Sequence, residues 1–190
     1  MNLRMVIPIQ IAVIALVAGL YFVYAAVRGP SSSDEPAPSS TLGAAMATIE
    51  PRVYSDKGGF MIGVPDGLTA KKDGKTVSLR SSDGTLVAVA GPIERGTLTA
   101  NSKTFIRSMK VAYTKVRVLR SEEQQVDGRK ALATYGQAVN AKKVRIRFVN
   151  VVVKAPQRNF AINSFAAFDT NPAIVLPKVN AIVSGFSVRL

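Results

Sequence analysis

Cysteine, histidine and tryptophan are all absent from this chain of 190 residues. Without cysteine there is no disulfide framework, no thiol nucleophile and no thiolate metal site. Without histidine the commonest general base near neutral pH and the commonest transition-metal ligand are missing, and triads built on imidazole are excluded. Paired carboxylates or a lysine remain as routes to chemistry, so a carboxylate-dependent hydrolase stays as the enzymatic alternative to a non-catalytic protein. Acidic residues are also scarce, 12 against 25 Lys and Arg, a formal charge of +13. Only Arg4 and Arg28 precede residue 29, so the 23 remaining basic residues against 12 acids leave +11 on the rest. A domain so charged is drawn to anionic headgroups or to an acidic protein face. Nucleic acid would need a recognisable reading element, and none is found in the sequence.

What is present begins with an uncharged run, Met5 to Val27, bracketed by Arg4 and Arg28. As a helix these 23 residues span about 35 Å, enough to cross a hydrocarbon core of about 30 Å. Pro8 sits in the first turn, where a missing N–H costs little, and Tyr21 and Tyr24 lie at the interfacial end. The alternative is a cleaved signal peptide with a small-residue site at Val23-Tyr24-Ala25, but its apolar region is usually only about 7–15 residues long. The expectation is a single-pass anchor over residues 1–28 in the plasma (inner) membrane. By a margin of one flanking charge, the C-terminal part faces away from the cytoplasm. A Pro/Ser-rich linker follows at 29–45, from Gly29-Pro30 through Glu35-Pro36-Ala37-Pro38, and reads as a semi-extended stalk.

The remainder, 46–190, changes to short apolar runs separated by turn residues. Gly59 to Pro65, Leu68 to Lys72, Thr76 to Arg80 and Thr85 to Ala90 predict four strands in a meander, divided by Pro65-Asp66-Gly67, Asp73-Gly74 and Asp83-Gly84. Between Asn101 and Thr114 the period changes. Phe105, Ile106, Met109, Ala112 and Tyr113 form one helical stripe behind Ser102 as N-cap, with Lys103, Arg107 and Lys110 turned away. Strands resume at Val116–Leu119 and Lys130–Tyr135, then at Lys143–Lys154 as the longest, and at Phe160–Phe168. A helix over Asn171–Val183, despite Pro177, and a short Phe186–Val188 segment close the chain. The order indicates an α+β fold, an antiparallel sheet of about six to eight strands flanked by two helices.

Three stretches carry a family resemblance. Gly59-Phe60-Met61-Ile62-Gly63-Val64-Pro65-Asp66-Gly67, Val126-Asp127-Gly128-Arg129-Lys130-Ala131 and Ile182-Val183-Ser184-Gly185-Phe186-Ser187-Val188 resemble the opening strand, central turn and closing helix of the PsbP/Mog1-like family. The family's Trp after the opening Val-Pro is Leu68 here. The resemblance implies a sheet flanked by helices and a binding module without catalytic residues or cofactor. Such a module docks on membrane complexes as an accessory or adaptor, or serves lipid or glycolipid transport.

The sharpest candidate site is a basic strand face. Lys143, Arg145 and Arg147 alternate with Val144, Ile146 and Phe148 and so share one side, and Arg129 and Lys130 extend it if their strand is adjacent. Like charges in a row must be solvated or paired, so the stripe fits an anionic lipid surface or an acidic face of an envelope protein complex. An ordinary solvated, edge-protecting strand is the competing reading. Glu122-Glu123 reads as a solvated turn. Asp66, Asp73, Asp83 and Asp127, each before Gly, read as turn formers rather than metal ligands.

Overall fold

Aspartate–glycine pairs set the strand boundaries. Asp127 and Gly128 both have positive φ, 52° and 66°, as a two-residue I′ hairpin demands, and at the Asp73–Gly74 turn Gly74 takes φ 57°. The computed structural model describes residues 52–55 and 57–189; the expected anchor Met5–Val27 and the linker 29–45 lie outside the described residues. Within them run β1 Arg52–Ser55, β2 Phe60–Gly63, β3 Leu68–Asp73, β4 Thr76–Ser81 and β5 Leu86–Ile93. Helix α1, Leu98–Ala112, is followed by β6 Thr114–Val126, β7 Arg129–Val139, β8 Arg145–Val153 and β9 Asn159–Ala167. Helix α2, Pro172–Ser184, and β10 Ser187–Val188 complete the order.

Seven strands form one antiparallel sheet in the order β3-β4-β5-β9-β8-β7-β6, and β1-β2-β10 form a second, three-stranded sheet. The α+β reading holds, with one correction to the meander. Of its four strands only the last three, β3, β4 and β5, are neighbours in one sheet; β2 pairs instead with β1 and β10. Val64-Pro65 redirects the chain after β2, because proline fixes φ and lacks the N–H that a continuing ladder needs.

Two aromatic clusters hold the layers together. On one side of the large sheet, Phe60 stacks on Phe186 with ring centroids 5.4 Å apart and meets Phe160 edge-on at 5.9 Å. Val175, Val179 and Ile182 of α2 seal this cluster. On the other side, Phe105 and Met109 of α1 pack on Phe148 and Phe165. Gly136 lies opposite Phe148 across the β7–β8 pair, and a Cβ there would collide with the Phe148 ring. The glycine is the space the aromatic ring fills.

Helix α1 begins earlier than its periodicity suggests. Thr97 is the N-cap, its Oγ1 accepting the Ala100 N–H at 3.0 Å. Ser102 is not a cap; it is buried in the second turn, 2.8 Å from Thr134 Oγ1. The first turn is largely solvent-facing and so carries no apolar signal. Phe105 and Met109 are buried and Lys103, Arg107 and Lys110 exposed, as read; Ala112 is exposed.

Strand β6, with 13 residues, exceeds β8, with nine, and absorbs Glu122-Glu123, which therefore stand mid-strand rather than in a turn. Val151 to Val153 are buried on both parities, while the β8 registers to β7 and β9 run without a break. That stretch is enclosed, not bulged.

The Asp83 turn has a pH consequence. Partial burial pushes its carboxyl up, but bonds from Ser81 Oγ at 2.6 Å and from Thr85 N–H and Oγ1, with Lys178 nearby, outweigh burial and hold it below the ordinary value of 3.8. The depressed value means that this contribution is complete above about pH 4 and disappears as pH falls through the folded-state value. An NMR titration of the Thr85 amide should give a midpoint below 3.8; one above it contradicts the arrangement.

Candidate functional site

Of the expected basic face, Arg145 and Arg147 stand together and the other three members do not. Both project from the side of β8 that also carries Val151 and Val153, and so share the side of the sheet on which α2 packs. Their guanidinium carbons lie 3.6 and 4.4 Å from the centroid of Phe168, and Arg147 Nη1 donates to Thr170 O at 3.1 Å. Arg147 thus ties down the loop into α2, whereas Arg145 is exposed.

Lys143 is not on that face. It occupies the β7–β8 loop at φ 63°, where Asn140 gathers the chain: its carbonyl accepts the Lys143 N–H, and its side-chain oxygen accepts the N–H groups of Lys142 and Val144. Alternation stops where the strand does. Arg129 and Lys130 are on an adjacent strand, but at its far end. In the antiparallel register Val139 faces Arg145, and the Lys154 N–H reaches Lys130 O. Arg129 and Val139 are the two ends of the 11-residue β7, ten steps and about 33 Å apart at about 3.3 Å per residue. The single stripe is two basic regions at opposite ends of the sheet.

The first region gains members from β6. Arg117 pairs with Gln137 and Arg120 with Tyr135, and those residues neighbour Arg147 and Val149 on the same side. Arg117, Arg120, Arg145 and Arg147 therefore lie on one face of three neighbouring strands. Glu122 is the only carboxylate those strands place there. Arg120 sits 4.2 Å over the Tyr135 ring and 3.7 Å from Glu122. Burial, then the hydrogen bond and charge of Glu122, push the Tyr135 hydroxyl up, against the opposing pull of Arg120. Tyr135 stays neutral at physiological pH and adds no counter-charge. Arg117 and Arg120 were missed because they are three apart, which in a regular strand means opposite faces. The register shift between Val118 and Arg120 brings them to one.

The second region is a cleft of about 550 Å³ lined by Arg95, Arg129, Lys130, Lys154, Ala155 and Pro156. A smaller one, about 140 Å³, shares Ala155 and adds Lys57, Arg158 and Arg189. Among the described residues neither is lined by Asp or Glu. Arg95 and Lys154 gave no pattern in sequence, since they lie just past the ends of β5 and β8 and meet only through the sheet order. Among the described residues no helix is long and apolar enough to cross a membrane.

No family signature and no curated protein sequence matches the chain. Solved structures do resemble it. Cyanobacterial PsbP (CyanoP) of Synechocystis superposes with a TM-score of 0.56 at 15% identity, over 79% of this chain and 98% of that one. The Ran-binding protein Mog1p of Saccharomyces cerevisiae gives 0.56 at 12%, over 73% and 94%. LpqN of Mycobacterium tuberculosis, involved in cell envelope biogenesis, gives 0.52 at 13%, over 74% and 90%. At such identities the likeness speaks for architecture alone, and the architecture is the PsbP/Mog1-like fold.

Proposed function

We propose that this protein is a membrane-tethered, non-catalytic accessory domain that docks on an acidic surface of an envelope protein complex. The observation that carries this reading is the open arginine face. Arg117, Arg120, Arg145 and Arg147 lie on one side of β6, β7 and β8, two of them over Phe168 and one over Tyr135, and those strands add one carboxylate, Glu122. Arginine and tyrosine are the residues that interfaces enrich, and a cation laid over a ring keeps outward donors for carboxylates. A net +11 beyond residue 28 gives the same direction of attraction at longer range.

Binding roles of relatives in fold support the same class of function. The yeast neighbour is a Ran-binding protein, and the mycobacterial one belongs to envelope biogenesis. The tether is Met5–Val27, uncharged and long enough to span, and the domain hangs from it on the stalk at 29–45, outside the cytoplasm. The lipid-transport alternative has less support, because Phe60, Phe160 and Phe186 occupy the space between sheet and α2 that an acyl chain would need.

Topology is tested by fusing alkaline phosphatase, which matures only outside the cytoplasm, to the C-terminus. The expected result is an active, membrane-bound enzyme. Activity in a soluble species trimmed near Ala25 would remove the tether, and an inactive fusion would reverse the orientation.

A further inference from the structure

We propose that the larger basic cleft, at the end of the sheet away from the arginine face, binds a phosphate-bearing organic ligand. The first reason is excess positive charge. Arg95, Arg129, Lys130 and Lys154 line one cleft to which no Asp or Glu among the described residues contributes. Ion pairing accounts for only part of the gathering: Arg129 Nε lies 3.8 Å from Asp127 Oδ2, a loose pair beyond hydrogen-bond reach, whereas Arg95 and Lys154 bond to neutral carbonyls. Asp127 Oδ2 instead accepts the Val188 N–H.

The second reason is preorganisation. Arg95 donates from Nε to Gln157 O and from Nη2 to Pro156 O, both at 2.6 Å, and Lys154 Nζ donates to Gly96 O at 3.0 Å. These bonds lace the loop after β5 to the loop after β8 and fix two cationic heads, while each retains further N–H donors. Asn159 Nδ2 also reaches Gly96 O, steadying the same loop from β9. The third reason is an unmet donor: Arg129 Nε is buried and has no hydrogen-bond partner. A buried arginine donor left open carries a cost that an anion oxygen would remove.

Size and chemistry narrow the ligand. At about 550 Å³ the cleft falls among pockets that hold small organic molecules, of about 300–1,000 Å³. Two guanidinium forks and two ammonium groups suit the several oxygens of a phosphate, and Ala155 and Pro156 offer apolar surface to whatever it is attached to. The same phosphoester can come from a soluble metabolite or from a lipid headgroup.

The test uses the full-length chain in phosphatidylcholine nanodiscs. One arm titrates glycerol 3-phosphate and pyrophosphate by calorimetry; the other measures recruitment of phosphatidic acid vesicles against phosphatidylcholine vesicles. Lys130→Gln neutralises an exposed side chain, and Lys154→Gln removes one fixed head. Each should weaken binding roughly tenfold, with Lys103→Gln on the outer face of α1 binding as wild type. Saturable binding of the soluble probes with that pattern assigns a soluble phosphoester, and vesicle recruitment alone with the same pattern assigns a headgroup. Equal affinity across all variants, or no saturable binding in either arm, overturns the site.

Discussion

Phe60→Ala is expected to lower the unfolding free energy by about 3–5 kcal/mol, a large share of the about 5–15 kcal/mol that holds a domain folded. Phe60 has no exposed surface and joins elements far apart in sequence. It belongs to β2 of the small sheet, its ring stacks on Phe186 beyond α2, and it meets Phe160 at the start of β9 edge-on. Truncation leaves a void bounded by two buried aromatic rings, Phe160 on β9 and Phe186 between α2 and β10, whose backbone attachments keep them from closing it. The lost transfer energy and the cavity therefore add. Urea denaturation followed by circular dichroism should show the midpoint falling with little change in slope. Ile174→Ala on the outside of α2, a residue 56% exposed, should stay within about 0.5 kcal/mol of wild type. A loss below about 1 kcal/mol for Phe60→Ala would mean that the small sheet does not close the core.

The second large effect is on docking. Arg120→Glu together with Arg145→Glu should reduce retention of the partner complex by roughly tenfold or more, about 1.4 kcal/mol or greater. Both side chains are exposed and neither anchors a backbone group in the structure, so the domain should fold as before. The pair reverses two charges on a face to which β6, β7 and β8 contribute one acid, turning attraction into repulsion at contact and during approach. Arg147 is left in place because it holds Thr170, and its loss would mix a loop effect with a docking effect. The remaining interaction should weaken further with added salt.

Much of the fold was legible because its boundaries are chemical. Asp127-Gly128 and Asp73-Gly74 name hairpins whose backbone other residues resist, and Phe105 with Met109 marks the buried stripe of α1. The small sheet was not legible. Nothing local in Phe60–Gly63 says that its partners are Arg52–Ser55 and Ser187–Val188. Strand β6 was cut short because, as an exposed edge strand, it buries almost nothing and shows no alternation.

The site was half legible for similar reasons. Parity placed Arg145 and Arg147 together, but a left-handed Lys143 and a hairpin register lie outside what alternation reports. Counting outward from the loop at 140–144 is the signal that would have sent Arg129 and Lys130 to the far end. Arg117 and Arg120 depended on irregularities of register that no residue pattern announces.

Docking through the arginine face is tested most directly by placing a photo-reactive amino acid at Gln137, half-buried between Arg117 and Arg147, and irradiating intact cells. The account predicts one discrete crosslinked protein, lost when Arg120 and Arg145 are reversed, and none from the same probe at Lys103 on α1. Equal crosslinking from both positions, or a Gln137 product that survives the reversal, would contradict it.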